Sequence, residues 1–299
     1  VTNVEVLSSD AAGISTIATI GAEAMEAGIR TVTFVDVGAA TDDLTVAAEF
    51  TADLKVNLDG GANVNTVDAS AYTGVLTVAA TGTVVAAATH VVTGGTSLLD
   101  TYLVTADGTA AGTTSSVTDI ENITVVGDAA SVAWTANNAS ADDGTTHTID
   151  ATSMTSGVNA ATINMSAETN ASVVVKGGAG ADVITISGSD LAESVAAGAG
   201  ADTIAFLSAN LTSIDVIDGG VGTDTMKAGD EVAIVDADFT NVTNVEVLSG
   251  TTASMAVNAT IGAEAMEAGI RTVTFVDINA ATDDLTVAAG FTADLTVNL

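Results

Sequence analysis

Residues 1–58 recur, almost unchanged, as residues 242–299. The offset is a constant 241 positions without a gap, and 46 of the 58 positions are identical. Val1-Thr2-Asn3-Val4-Glu5-Val6-Leu7 reads again from Val242 to Leu248, and Ile20–Arg30 reads again from Ile261 to Arg271. Tandem copies of this size come from modules that each pack on a neighbour in the same way. The chain therefore reads as a window of little more than one repeat within a longer protein. Arrays of this kind build length, lattices or fibres, so a structural role is the first expectation.

The repeat itself contains a weaker doubling. Val117-Thr118-Asp119-Ile120-Glu121-Asn122-Ile123 echoes the Val1 and Val242 motifs, and Gly94-Gly95 with Asp100 echoes Gly219-Gly220 with Asp224. The expected organisation is a half-repeat over 1–116, a second over 117–241, and the start of the next repeat over 242–299.

Charge narrows the function. There are 38 acidic residues against five bases, Arg30, Lys55, Lys176, Lys227 and Arg271, for a net charge of −33. Nucleic acid is excluded as a partner, because its phosphates need a basic surface. Carboxylates this dense repel one another unless water or cations separate them. Disorder is the usual fate of a strongly acidic chain, but 47% hydrophobic residues argue against it. Val, Ile, Thr and Ala dominate, which is a strand-forming alphabet of small side chains. Proline is absent, as suits continuous strand ladders. Cysteine is absent too, so disulfides hold nothing together; many extracellular bacterial proteins share that lack. The most apolar stretch, Gly74–Val92, is broken by threonines and His90 and reads as strands rather than a transmembrane helix.

Short alternating segments such as Thr31–Asp36, Leu54–Leu58, Thr101–Thr105, Ser172–Val175, Thr203–Leu207 and Glu231–Val235 are bounded by Gly, Asn, Asp or Ser. Their spacing predicts an all-β, largely parallel β-solenoid with short helical corners. One corner is Gly21–Ala27, which Gly28 is placed to terminate.

Three segments share the pattern G-G-x-G-x-D-x-U. They are Gly177-Gly178-Ala179-Gly180-Ala181-Asp182-Val183-Ile184, Ala197-Gly198-Ala199-Gly200-Ala201-Asp202-Thr203-Ile204, and Gly219-Gly220-Val221-Gly222-Thr223-Asp224-Thr225-Met226. Glycine permits the turn and turns carbonyls inward, aspartate adds a hard anionic oxygen, and the apolar residue enters a buried strand. Calcium needs six to eight oxygens, so two neighbouring turns must share an ion. The aspartates lie 20 and 22 residues apart, about one coil each, so the turns should stack on one edge. Expected ligands are Asp182, Asp202 and Asp224 with the turn glycines Gly178, Gly180, Gly198, Gly200, Gly220 and Gly222. Asp190 and Glu193, in a degenerate turn on the opposite edge, are further candidate ligands there, and Asp215 and Asp218, flanking the third turn, are candidates to complete its shell. The alternative is glycine turns capped by aspartate, with no ion.

On these motifs the chain resembles the repeats-in-toxin (RTX) proteins, especially RTX-type surface-layer and giant surface proteins. The match is at motif level for residues 177–226, with looser phrases such as Val67-Asp68-Ala69-Ser70 and Ile149-Asp150-Ala151-Thr152 elsewhere. The resemblance implies a calcium-stabilised solenoid, exported by a type I system, assembled with identical repeats at the cell surface. Any anchor to cell-surface polysaccharide would lie elsewhere in the full protein. Asn65 replaces the aspartate in Gly60-Gly61-Ala62-Asn63-Val64-Asn65, and an insertion separates Gly94-Gly95 from Asp100, so calcium is not expected at either turn.

The repeated Asp42-Asp43 and Asp283-Asp284 pairs read equally as surface calcium sites or solvated turns. His90 and His147 lack metal-ligand neighbours in sequence and read as strand residues. No nucleophile elbow, zinc-protease helix or phosphate loop occurs, so no catalytic residue is expected. The rival to a lattice or filament is a calcium-dependent adhesin extender, including an ice-binding array. Aligned Thr-x-Thr rows would favour ice binding, and the threonines read as scattered.

Overall fold

The computed structural model describes residues 4–8, 15–36, 41–60, 65–81, 90–106, 116–136, 144–186, 188, 191–207, 209–229, 233–250, 258–275 and 283–299. It is a parallel β-solenoid whose chain forms two compact units, Val1–Ser153 and Met154–Leu299. The repeat boundaries at 116 and 241 are recurrences of sequence, whereas the units are bodies of packing.

In the first unit one parallel sheet stacks Val6–Ser8, Thr31–Asp36, Leu54–Gly60, Leu76–Thr81, Thr101–Thr105, Asn122–Val126 and Thr146–Asp150. A second stacks Ile17–Ile20, Asp42–Val46, Asn65–Asp68, Val91–Thr93 and Val117–Thr118. The strands alternate because neighbouring side chains point to opposite faces. Register carries that alternation from coil to coil. Val32, Val56, Val78, Tyr102, Ile123 and Ile149 are successive partners, and every one is buried. Burying each such side chain contributes about 1.5–3 kcal/mol. Tyr102 and Trp134 thicken this core, with ring centroids 5.8 Å apart.

The second unit repeats the plan. One sheet stacks Ala161–Asn164, Val183–Thr185, Thr203–Phe206, Thr225–Ala228, Val247–Gly250, Thr272–Thr274 and Thr296–Asn298. The other includes Ser172–Lys176, Glu193–Ala196, Val216–Asp218 and Val242–Thr243. Ile163, Ile184, Ile204, Met226, Leu248 and Val273 form its buried column.

The corner helix occupies Ala22–Glu26, ends at Gly28 (φ +98°), and keeps Glu23 and Glu26 wet as its charge requires. Its copy spans Ala263–Ala268. The third residue of the recurring Val-Thr-(Asp/Asn) motif is left-handed in both described cases, with Asp119 and Asn244 at φ +54°. Asp and Asn tolerate that region better than other side chains, which accounts for the residue choice. Of Glu231–Val235, residues 231 and 232 lie outside the described residues, and Ile234 makes only an isolated bridge to Ala259. Among the described residues no helix is long and apolar enough to cross a membrane. Gly74–Val92 includes the strand Leu76–Thr81 and enters Val91–Thr93.

Candidate functional site

The three glycine-aspartate turns stack on one edge of the second unit. Ala199 pairs with Val221 and Gly200 with Gly222, while the following strands pair Ile184 with Ile204 and Ile204 with Met226. Coil packing accounts for the glycines. A Cβ on Gly198 would lie 2.1 Å from Gly178 O, and one on Gly220 would lie 1.9 Å from Gly198 O. Both are also left-handed, at φ +108° and +91°. The carbonyls they approach are already acceptors: Ala199 N–H donates to Gly178 O at 2.9 Å, and Val221 N–H donates to Gly198 O at 2.8 Å.

The aspartates form a ladder. Asp182, Asp202 and Asp224 are buried, and each aims a carboxylate oxygen at a backbone N–H one coil earlier. Ala161 N–H donates to Asp182 Oδ1 (2.6 Å), Asp182 N–H to Asp202 Oδ1 (2.7 Å), and Asp202 N–H to Asp224 Oδ1 (2.8 Å). Asp224 N–H continues to Glu246 Oε2 at 2.8 Å. Asp182 Oδ2 also accepts the Gly178 N–H at 2.7 Å. By contrast, Asp202 Oδ2 and Asp224 Oδ2 are buried and accept no hydrogen bond among the described residues.

Four carboxylates in four successive coils are electrostatically costly. Burial, reinforced by the charges of Asp182 and Asp224, pushes Asp202 up to about 7. Burial also raises Asp182. It raises Asp224 as well, with help from Glu246 and Asp218. A nearby cation would reverse this by favouring the charged forms.

The remaining expected ligands stand apart from this ladder. Glu193 is buried at the start of a strand in the other sheet, where its N–H donates to Asp215 Oδ1 at 3.0 Å. Asp215 also accepts the Thr212 N–H at 2.8 Å, so it serves that edge and not the third turn. Asp218 does border the third turn, accepting from Gly220 N–H at 3.0 Å and from Asn244 Nδ2 at 2.7 Å. Asp190 lies outside the described residues. No group of three or more His, Cys, Asp or Glu side chains is gathered to hold a metal among the described residues. The turn carboxylates are spread along the stack, and the two oxygens without hydrogen bonds can supply only part of a calcium shell.

Sequence reasoning missed Glu246, although its 22-residue step from Asp224 repeats the step from Asp202. A related ladder in the first unit was missed as well. Thr16 N–H donates to Asp42 Oδ1 (2.6 Å), Asp42 N–H to Asn65 Oδ1 (3.3 Å), and Asn65 N–H to His90 Nδ1 (3.2 Å). Asp42 is thus a buried ladder residue, neither a solvated turn nor a surface ligand, and its repeat Asp283 is half-buried beside the exposed Asp284. His90 sits just ahead of Val91–Thr93, while His147 lies within Thr146–Asp150 as expected. Asp100 also has a ladder role despite its insertion, accepting Leu76 N–H at 2.9 Å and Gly95 N–H at 2.7 Å. Set beside protein-family models, curated proteins and solved structures, the chain matches none of them.

Proposed function

We propose that this chain is a calcium-stabilised module of an extracellular tandem-repeat protein that assembles with identical repeats into a surface layer or filament. The observation that carries the reading is the Asp182–Asp202–Asp224–Glu246 ladder, with two buried oxygens left for a hard cation. Asp202 and Asp224 would hold the ion together with turn carbonyls and water, and its positive charge would neutralise the stack. Modules of this kind bind calcium with Kd of roughly 10⁻⁴–10⁻³ M, so each site adds on the order of 0.4–1.4 kcal/mol at about 1 mM calcium. Low calcium inside the cell would keep the acidic unit loose for type I export, and folding would follow outside. This agrees with the RTX resemblance, and the role assigned is structural, with no enzymatic activity.

Calcium titration followed by circular dichroism and negative-stain electron microscopy tests the reading. Calcium-dependent β-structure with ordered filaments or sheets is expected. Equal folding and stability in chelator would remove the calcium role.

The rival is an adhesin extender or ice-binding array. The register aligns some threonines that the sequence scatters, in the row Thr162, Val183, Thr203, Thr225, Val247, Thr272 and Thr296, but the row two residues on, Asn164, Thr185, Ala205, Lys227, Ser249, Thr274 and Asn298, breaks the Thr-x-Thr pattern of an ice-binding face. Calcium-dependent folding without assembly would select that rival.

A further inference from the structure

The two arginines of this acidic chain occupy the same place in the two copies of the helical corner. Arg30 follows Glu26 by four residues, and Arg271 follows Glu267 by four. In a continuous helix that spacing closes an ion pair across one turn. Here the helix ends first, at Gly28 (φ +98°) and Gly269 (φ +113°), and the arginine turns to the backbone instead. Arg30 Nη1 donates to Ile29 O at 2.6 Å and to Met25 O at 3.2 Å. Arg271 Nη1 donates to Ile270 O at 2.6 Å and to Met266 O at 3.0 Å. Among the described residues neither guanidinium bonds a carboxylate, although the chain has 38 acidic residues.

Stacking does not cover these groups. In the second copy the preceding coil holds the helix N-terminus, where Asp236 accepts from Gly262 N–H and Ala265 N–H. The following coil lies on its other side, where Thr292 N–H donates to Met266 Sδ at 3.4 Å. With both neighbours in place Glu267 and Arg271 are still exposed, as Glu26 and Arg30 are in the first copy. The two carbonyls fix Nη1 and leave the Nε–Nη2 edge outward, which is the edge that takes a carboxylate through two parallel bonds. Holding the side chain in advance lowers the ordering cost of such a contact.

We propose that this corner is a lateral contact between copies of the chain. The arginine of one copy takes the Glu26 or Glu267 carboxylate of another, and the reverse pair closes across the same two-fold axis. A patch that carries one acid and one base is self-complementary, as a two-fold contact requires. Elsewhere the acidic surface repels its own copies, so approach is favoured where a base stands. One exposed ion pair contributes little. The corner recurs at each 241-residue step, however, so neighbouring arrays close many pairs together. This names a surface for the self-association proposed above and rests on that reading.

Sedimentation equilibrium of the full chain in calcium tests the contact. The parent should associate, and Arg30→Glu with Arg271→Glu should weaken association by about ten-fold or more, because like charges then face each other. Adding Glu26→Arg and Glu267→Arg to that variant lacks the same arginine–carbonyl bonds but restores complementarity, so association should recover. Mixed with labelled parent, the charge-swapped chain should pair with itself and exclude the parent. Association of the reversed chain at the parent's strength, or free mixing of the swapped chain with the parent, would overturn the proposal.

A gentler pair, Arg30→Gln with Arg271→Gln, keeps a donor for the carbonyls and covers the case of a reversed chain that fails to fold. It should also weaken association, and no change there would overturn the contact equally. Arginine-dependent retention on hyaluronan beads, with self-association unchanged, would assign the pair to an acidic polymer and overturn it too. A parent that folds with calcium but stays monomeric would remove the contact together with the assembly reading. Association that ignores the arginines would remove the contact alone.

Discussion

The Thr16–Asp42–Asn65–His90 ladder of the first unit and the Ala161–Asp182–Asp202–Asp224–Glu246 ladder of the second use one device. In each, a side-chain acceptor satisfies the backbone N–H of the matching residue one coil earlier. An unpaired buried N–H is costly, so every coil of a solenoid needs such an acceptor at its turns. The first unit meets the need with an acid, an amide and an imidazole. The second uses only acids, which accept just as well but accumulate charge. The comparison separates two properties that the motif had merged: capping explains why a polar residue stands there, and only the charge calls for a cation.

The largest effect should come from the glycines that let the second ladder stack. Gly220→Ala puts a Cβ 1.9 Å from the Gly198 carbonyl at a left-handed position, and nothing flexible lies in its way to yield. A loss of about 4 kcal/mol or more is expected, at the exceptional end for one substitution. Chemical denaturation should show it, while Gly157→Ala, with 3.6 Å to its nearest neighbour, should change little. If Gly220→Ala is tolerated, the close coil spacing is wrong.

Removing a rung comes next. Asp182→Ala orphans the Ala161 and Gly178 donors, at about 1–3 kcal/mol for each. Asn65→Ala orphans only the Asp42 donor, whose bond is long at 3.3 Å, so the loss should be smaller. Equal losses in thermal unfolding would dissolve the distinction between the ladders.

The subtlest test changes charge and keeps shape. Asp202 is raised from 3.8 to about 7, so folding takes up a proton between those values. In chelator, stability should therefore be highest in acid and fall as pH rises from about 4 through 7. Asp202→Asn should flatten that fall, stabilise the chelated protein at pH 8, and reduce the gain from calcium. If calcium stabilises Asp202→Asn as much as the parent, the ion binds elsewhere.

Much of this was legible in the residues. Period-two alternation between Gly, Asn and Asp turns marked the strands Thr31–Asp36 and Thr101–Thr105 at the bounds observed. The 20- and 22-residue steps placed Asp182, Asp202 and Asp224 on one edge. Missed were rungs that share a position but not a residue type, since Asp42, Asn65 and His90 have no common motif. They share only an acceptor atom at a place that three-dimensional register defines.

The two copies mark where that boundary falls. Near-identical sequence makes the same corner helix in both copies, and at the second a carboxylate from the preceding coil, Asp236, caps the N-terminus by accepting from Gly262 N–H at 2.6 Å and Ala265 N–H at 3.0 Å. Sequence alone determined local conformation, because alternation, turn residues and steric limits act within a few residues. Tertiary structure alone decided burial, capping and the company each carboxylate keeps, because in a solenoid those depend on the coil stacked above or below.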